Sequence, residues 1–201
     1  LIPRDNAGVL YNFGELHGLE NLPKISRVEF MPYTVAKIET YEKEAGNPFA
    51  DGSDPSVSVG LDGKFGIGSN FTVDYTINPD FGQVEADPSE LNLTAFETYY
   101  EEKRPFFIEG RNIFDVGFDD YQLLYSRRIG HSPSFEPEIG EDEFGHTPEN
   151  TSILGALKLT GKTSKGLSVG IMESLTSREY TKISSPGDDY KMVSEPMTNY
   201  F

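Results

Sequence analysis

The 201-residue sequence contains no cysteine and no tryptophan. Without cysteine there is no disulfide framework, no thiol nucleophile and no zinc–thiolate site, while the compartment stays open because many exported proteins also lack it. Histidine is scarce: His17, His131 and His146 are far apart, with no i, i+4 pair and no HExxH pattern, which argues against zinc. There is no Gly-x-Ser-x-Gly elbow and no P-loop. No apolar run approaches the roughly 18 residues that a membrane-crossing helix needs. Basic residues are few, 17 Lys and Arg against 33 Asp and Glu, and the net charge of −16 argues against nucleic acid as a partner. Leu1-Ile2-Pro3-Arg4 forms neither a basic n-region nor an h-region, so the chain reads as a piece of something longer.

What the sequence does have is a parity. Val57, Val59, Leu61, Phe65, Ile67, Phe71, Val73, Tyr75 and Ile77 are apolar at odd positions, while Ser58, Asp62, Lys64, Thr72, Asp74 and Thr76 occupy even ones. A period of two is a β-strand with one greasy and one wet face. The break at Gly68-Ser69-Asn70 makes this one antiparallel hairpin of two strands, each about ten residues long. About ten residues is also the length of a tilted strand that crosses a bilayer. The design returns with Ile153, Leu157 and Leu159 before Gly161–Gly166, and Leu167, Val169, Ile171 and Leu175 after it. Upstream, Val28, Phe30, Ala36 and Ile38 alternate with Glu29, Lys37 and Glu39, and Pro32 confines that strand to an edge or a bulge. About five long strands are expected. A composition of 36 % hydrophobic and 25 % charged residues does not exclude a membrane barrel, whose strands show water or lumen half their residues.

Four regions follow. Residues 1–26 are an irregular lead-in and 27–78 hold the first strands. Residues 79–150 are a long insert, and 151–201 hold a second hairpin and the start of a further strand. The insert is too long for a passive connection. Asp87-Pro88-Ser89-Glu90 supplies an N-cap, a proline at the first helical position and a glutamate at N3, which predicts a helix over about 88–100. The acidic, proline-bearing stretch 132–150 reads as a mobile loop, and 184–189 as a second.

The insert carries a resemblance. Asn78-Pro79-Asp80-Phe81-Gly82-Gln83-Val84-Glu85-Ala86-Asp87-Pro88, Glu102-Lys103-Arg104-Pro105-Phe106-Phe107-Ile108-Glu109-Gly110, Tyr125-Ser126-Arg127-Arg128-Ile129-Gly130 and Glu195-Pro196-Met197-Thr198-Asn199-Tyr200-Phe201 resemble a group of Gram-negative outer-membrane proteins. These join a family-9 carbohydrate-binding-like domain to a large C-terminal β-barrel of undetermined function. The resemblance implies a mainly β fold: an antiparallel meander forming part of an outer-membrane barrel, with a short helix and a plug-like insert. It implies outer-membrane lipid, the rest of the barrel or other envelope proteins, and a glycan as partners. Some members are labelled hydrolases, but no catalytic residue carries over.

Two residue sets are candidate sites. Asp80, Glu85, Asp87 and Glu90 offer oxygens to a hard cation such as Ca²⁺, although Asp87 and Glu90 equally serve as helix cap and capping box. Glu101, Glu102, Lys103, Arg104, Glu109, Arg127 and Arg128 form the densest mixed-charge set. They read either as a polar lining for a ligand path or as ion pairs that pin the insert inside the barrel wall. A soluble exported β-domain binding carbohydrate or calcium is the alternative to the barrel, and a hydrolase with paired carboxylates is the third reading.

Overall fold

In the computed structural model the described residues are 14, 17, 18, 27–79, 99–118 and 121–201. The parity becomes strands: β1 (Val28–Thr40), β2 (Ser53–Ile67) and β3 (Phe71–Ile77) form a meander. After the insert come β6 (Phe144–His146), β7 (Ile153–Lys162), β8 (Ser168–Thr176), β9 (Glu179–Ser185), β10 (Asp188–Glu195) and β11 (Asn199–Tyr200). Between them the insert carries α1 (Pro105–Ile108), α2 (Arg111–Phe114), the two-residue strands β4 (Gly117–Phe118) and β5 (Tyr121–Gln122), and a 3₁₀ turn, Ser126–Arg128. The fold is mainly β, with antiparallel sheets that do not close.

The main sheet runs β1-β2-β3-β7-β8-β11, and β10-β9-β6 form a second, three-stranded group. The two groups continue each other. Glu195 pairs with Glu179 and Asn199 with Leu175 in one register, and the Thr176 amide donates to the Thr198 carbonyl at 2.9 Å between them. On the other side the Ser177 amide donates to Ser152 at 2.8 Å, and the Thr147 and Thr181 hydroxyls meet at 2.9 Å. Residues 144–162, 168–185 and 188–200 are thus three long, locally interrupted strands of one meander.

β1 is an edge strand, so Pro32, opposite Leu61, costs no interior ladder bond. The sheet buries the face that a soluble protein would leave wet. Thr76, Asp74 and Lys158, on the even face, are 2 %, 5 % and 1 % exposed, whereas Val57 and Phe30, on the opposite face, are 74 % and 65 % exposed. The insert covers the polar face over β3, β7 and β8. Phe107 and Ile129 pack there with Ile153 and Met172, joined by Phe106, Phe114, Leu124 and Tyr200. β1 stays exposed on both faces over most of its length.

Four expectations need correction. Seven strands of seven or more residues occur among the described residues rather than five, because 179–195 extends the meander as β9 and β10. Residues 132–150 are not wholly loop, since β6 pairs with the open edge of β9. Residues 184–189 form a tight hairpin end held by Ser184 Oγ to Asp189 Oδ1 at 2.7 Å and Ser185 Oγ to the Asp188 carbonyl at 2.7 Å. Ile153 does not share a face with Leu157 and Leu159: a register shift between Ile153 and Gly155 turns it inward and leaves Leu154 exposed. The helix expected over 88–100 lies outside the described residues except at Tyr99 and Tyr100, which are irregular.

Candidate functional site

The even face places one charged row across the sheet. Register sets Glu29 opposite Lys64, Lys64 opposite Asp74, Asp74 opposite Lys158 and Lys158 opposite Met172. Lys64 Nζ lies 3.5 Å from Asp74 Oδ1, and Lys158 Nζ 3.8 Å from Asp74 Oδ2. Two lysines therefore flank one buried carboxylate; burial, with the nearby charge of Glu109, outweighs their attraction and holds the Asp74 carboxyl above its usual range. Asp74 Oδ1 accepts no hydrogen bond, so its compensation is coulombic.

Lys158 also reaches the insert. Its ammonium donates to the carbonyl of Glu109, the C-cap of α1, at 2.6 Å and to that of Phe106 within the same turn, and it stands 4.7 Å from the Phe106 ring centroid. Basic side chains near a helix C-terminus satisfy carbonyls that have no partner within the helix. The exposed Glu109 carboxylate pairs with Lys64, which adds a second, wetter link between insert and wall. Backbone shape completes the fit. A side chain at Gly170 would stand 2.7 Å from Ile113 Cγ2, so α2 packs on bare strand there, and Gly110, at φ 69° beside Thr160, makes the left-handed turn into α2.

Within the insert, Arg104 ties two segments together. Nε and Nη2 donate to Glu102 Oε1 and Oε2 at 2.8 and 2.7 Å, while Nη1 and Nη2 donate to the Ile129 and Ser126 carbonyls at 2.6 and 2.8 Å. Its guanidinium lies 4.3 Å over the Phe107 ring. Ser126 Oγ donates to Glu102 Oε2 at 2.6 Å. Burial pushes the Glu102 carboxyl up, but the hydrogen bonds and charge of Arg104, with the Ser126 hydroxyl, outweigh it and hold the group below the usual carboxylate range. The planar fork satisfies both carboxylate oxygens and two backbone carbonyls, which a lysine could not do.

Between knot and sheet lies a cavity of about 360 Å³. Phe107, Met172, Phe114 and Leu124 give it an apolar lining, with Tyr99, Tyr100 and Tyr125 beside Glu101, Arg111 and Asp115. The Tyr99 and Tyr125 ring centroids are 4.8 Å apart, and the Tyr125 hydroxyl receives the Tyr100 amide at 2.7 Å.

A family model described as "Domain of unknown function (DUF5916)" matches residues 24–201. The chain belongs to the DUF5916 family. No match was found among curated proteins or among solved structures. The matched span of this DUF5916 domain holds sheet, knot and cavity together, and the family description names no activity.

The mixed-charge set of the DUF5916 domain divides in space. Glu102 and Arg104 form the buried knot, Glu109 joins Lys64 on the wall, and Glu101 lines the cavity. Arg128 lies 5.8 Å over the Tyr125 ring, and its carbonyl accepts from the Tyr200 hydroxyl at 3.3 Å. Lys103 and Arg127 are partly exposed, each has an interaction of its own, and neither lines the cavity. The cation candidates Asp80, Glu85, Asp87 and Glu90 lie outside the described residues, and among the described residues no three acidic or histidine side chains gather to hold a metal. Lys158 and Arg111 were not candidates from sequence. Parity puts Lys158 on the wet face, but only the pairing register brings it beside Asp74.

Proposed function

We propose that this chain is part of an outer-membrane β-barrel of a Gram-negative bacterium, with its apolar face toward lipid and its polar face lining a lumen that the insert partly fills. The observation that carries the reading is the inverted burial: the buried face is Asp74, Thr76, Lys158, Ser174 and Thr176, and the exposed face is Val28, Phe30, Val57, Val59 and Ile171. A soluble sheet hides the second set, whereas a bilayer is the solvent that lets it stay outside. Over β1, β2, β3, β7 and β8 the outward positions bear one charge, Glu173, which accepts a hydrogen bond from Asn199 Nδ2 at 3.2 Å. Pairing sets Glu173 opposite Leu157, in one row with Tyr75, Gly63 and Phe30.

Connection lengths support an orientation. The β2–β3 and β7–β8 turns, at 68–70 and 163–167, lie at one end of the sheet, while the longer connections leave Thr40 and Ile77 at the other, where the tip of β9–β10 also lies. Short turns of such barrels face the periplasm and long loops the outside. Open edges are not tolerated in lipid, so the outer edge of β1 and the edge of β8 beyond Ser174 take further strands, from the rest of the protein or from a partner in the envelope. The role that follows is binding or passage of a substrate at the cell envelope, with the insert as plug; the resemblance noted above makes a glycan the first substrate to test. Expressed with the strands that flank it in its own protein, the chain should fractionate with outer membranes and need detergent for extraction. Recovery as a monodisperse protein without detergent would end the reading.

A further inference from the structure

The cavity under the knot has charge to spare. Its floor is apolar, with Phe107 and Met172 buried. Of the charged groups in its lining, Glu102 is held by Arg104, Lys158 by the α1 carbonyls, and Asp115 has a partner of its own. The side chains of Glu101 and Arg111, both exposed, have no hydrogen bond or ion pair among the described residues. A small pocket with a greasy floor and two unused charges of opposite sign is complementary to one ligand chemistry. We propose that it binds a free α-amino acid with an aromatic or large aliphatic side chain, the side chain on the apolar floor, the ammonium on Glu101 and the carboxylate on Arg111.

The size agrees, since about 360 Å³ is at the small end of ligand sites. Arginine suits the carboxylate because its planar fork can donate two parallel bonds. The tilted pair Tyr99 and Tyr125 offers ring faces to the ammonium or to an aromatic side chain. The walls belong entirely to this chain, and the inference does not depend on whether the sheet spans a membrane.

Calorimetric titration of the purified full chain with L-phenylalanine tests it. The expected result is saturable one-to-one binding that weakens by about ten-fold or more in Glu101→Gln and in Arg111→Gln, the size of one lost charged hydrogen bond. Two half-ligands assign the anchors: 2-phenylethylamine should bind more weakly and be indifferent to Arg111→Gln, and 3-phenylpropionate indifferent to Glu101→Gln. Both substitutions are at exposed side chains, and an unchanged circular dichroism spectrum confirms that each variant is folded. No saturable heat with phenylalanine at millimolar concentration, wild-type affinity in either variant, or binding of maltose in its place would overturn the proposal.

Discussion

Replacing Lys158 with methionine removes the ammonium that joins the wall to the insert while keeping most of the apolar stem. The lysine is 1 % exposed, so water does not take its place. The Phe106 and Glu109 carbonyls lose their donor, at about 1–3 kcal/mol for each polar group left unsatisfied. Asp74 keeps only Lys64, and breaking a buried pair from one side costs about 3–5 kcal/mol. These terms overlap, because one ammonium serves all three acceptors, so the expected loss is about 3–5 kcal/mol rather than their sum. If the insert undocks locally, that loss makes its open state about 10² to 5 × 10³ times more populated. Hydrogen exchange in detergent micelles reads it at Phe107, Ile108 and Glu109, whose amides bond to the Arg104 and Pro105 carbonyls, with the β2–β3 ladder as internal control. Adding Asp74→Asn should recover part of the loss by removing the stranded charge. Wild-type exchange at these amides, or a double variant as costly as the two single losses added, would refute the view of Lys158 as the latch.

Other outcomes follow from the same geometry. Glu102 is held below the ordinary carboxylate range when folded, so the unfolded state binds the proton more readily; the stability it contributes is fully present above the unfolded value and is lost as pH falls through the folded one. Protection of the Arg104 and Phe107–Glu109 amides, taken relative to the intrinsic exchange rate at each pH, should therefore be flat near neutral pH and fall only in acid, and Glu102→Gln should flatten that acid limb at a lower level of protection. Gly170→Val should loosen the insert by about 1–3 kcal/mol through overpacking against Ile113 and Phe114, measurable as earlier proteolysis at Arg111, whereas Gly166→Ala at the exposed β7–β8 turn, with φ 89°, should strain the turn and leave that cleavage rate unchanged.

The strands were legible because a half-wet sheet writes its faces into alternate residues. Val57 to Ile77 shows this directly, and Pro32 marked an edge. Two things were hidden. A bulge shifts parity without leaving a compositional mark, so Ile153 read as a companion of Leu157 although it packs inward on Phe107 and Ile129. Register is a long-range property, so Lys64, Asp74 and Lys158 could each be placed on the wet face but not beside one another. Glu102 and Arg104 are near in sequence and are paired, yet the Ser126 and Ile129 carbonyls that finish the arginine's coordination come from more than twenty residues away. α1 and α2, four residues each, are too short to show a helical period and are held by the wall that they cover.

The central claim is that the odd-parity face meets lipid, and a native sequence without cysteine makes it directly measurable. Single cysteines placed in turn at Ser56, Val57, Ser58 and Val59 of β2, labelled with an environment-sensitive fluorophore, are to be read in phosphatidylcholine vesicles with and without brominated acyl chains. Quenching by brominated lipid should alternate along the strand, strong at 57 and 59 and weak at 56 and 58. Uniform weak quenching, with 57 and 59 shielded by protein in a chain that stays soluble without lipid, would contradict the account.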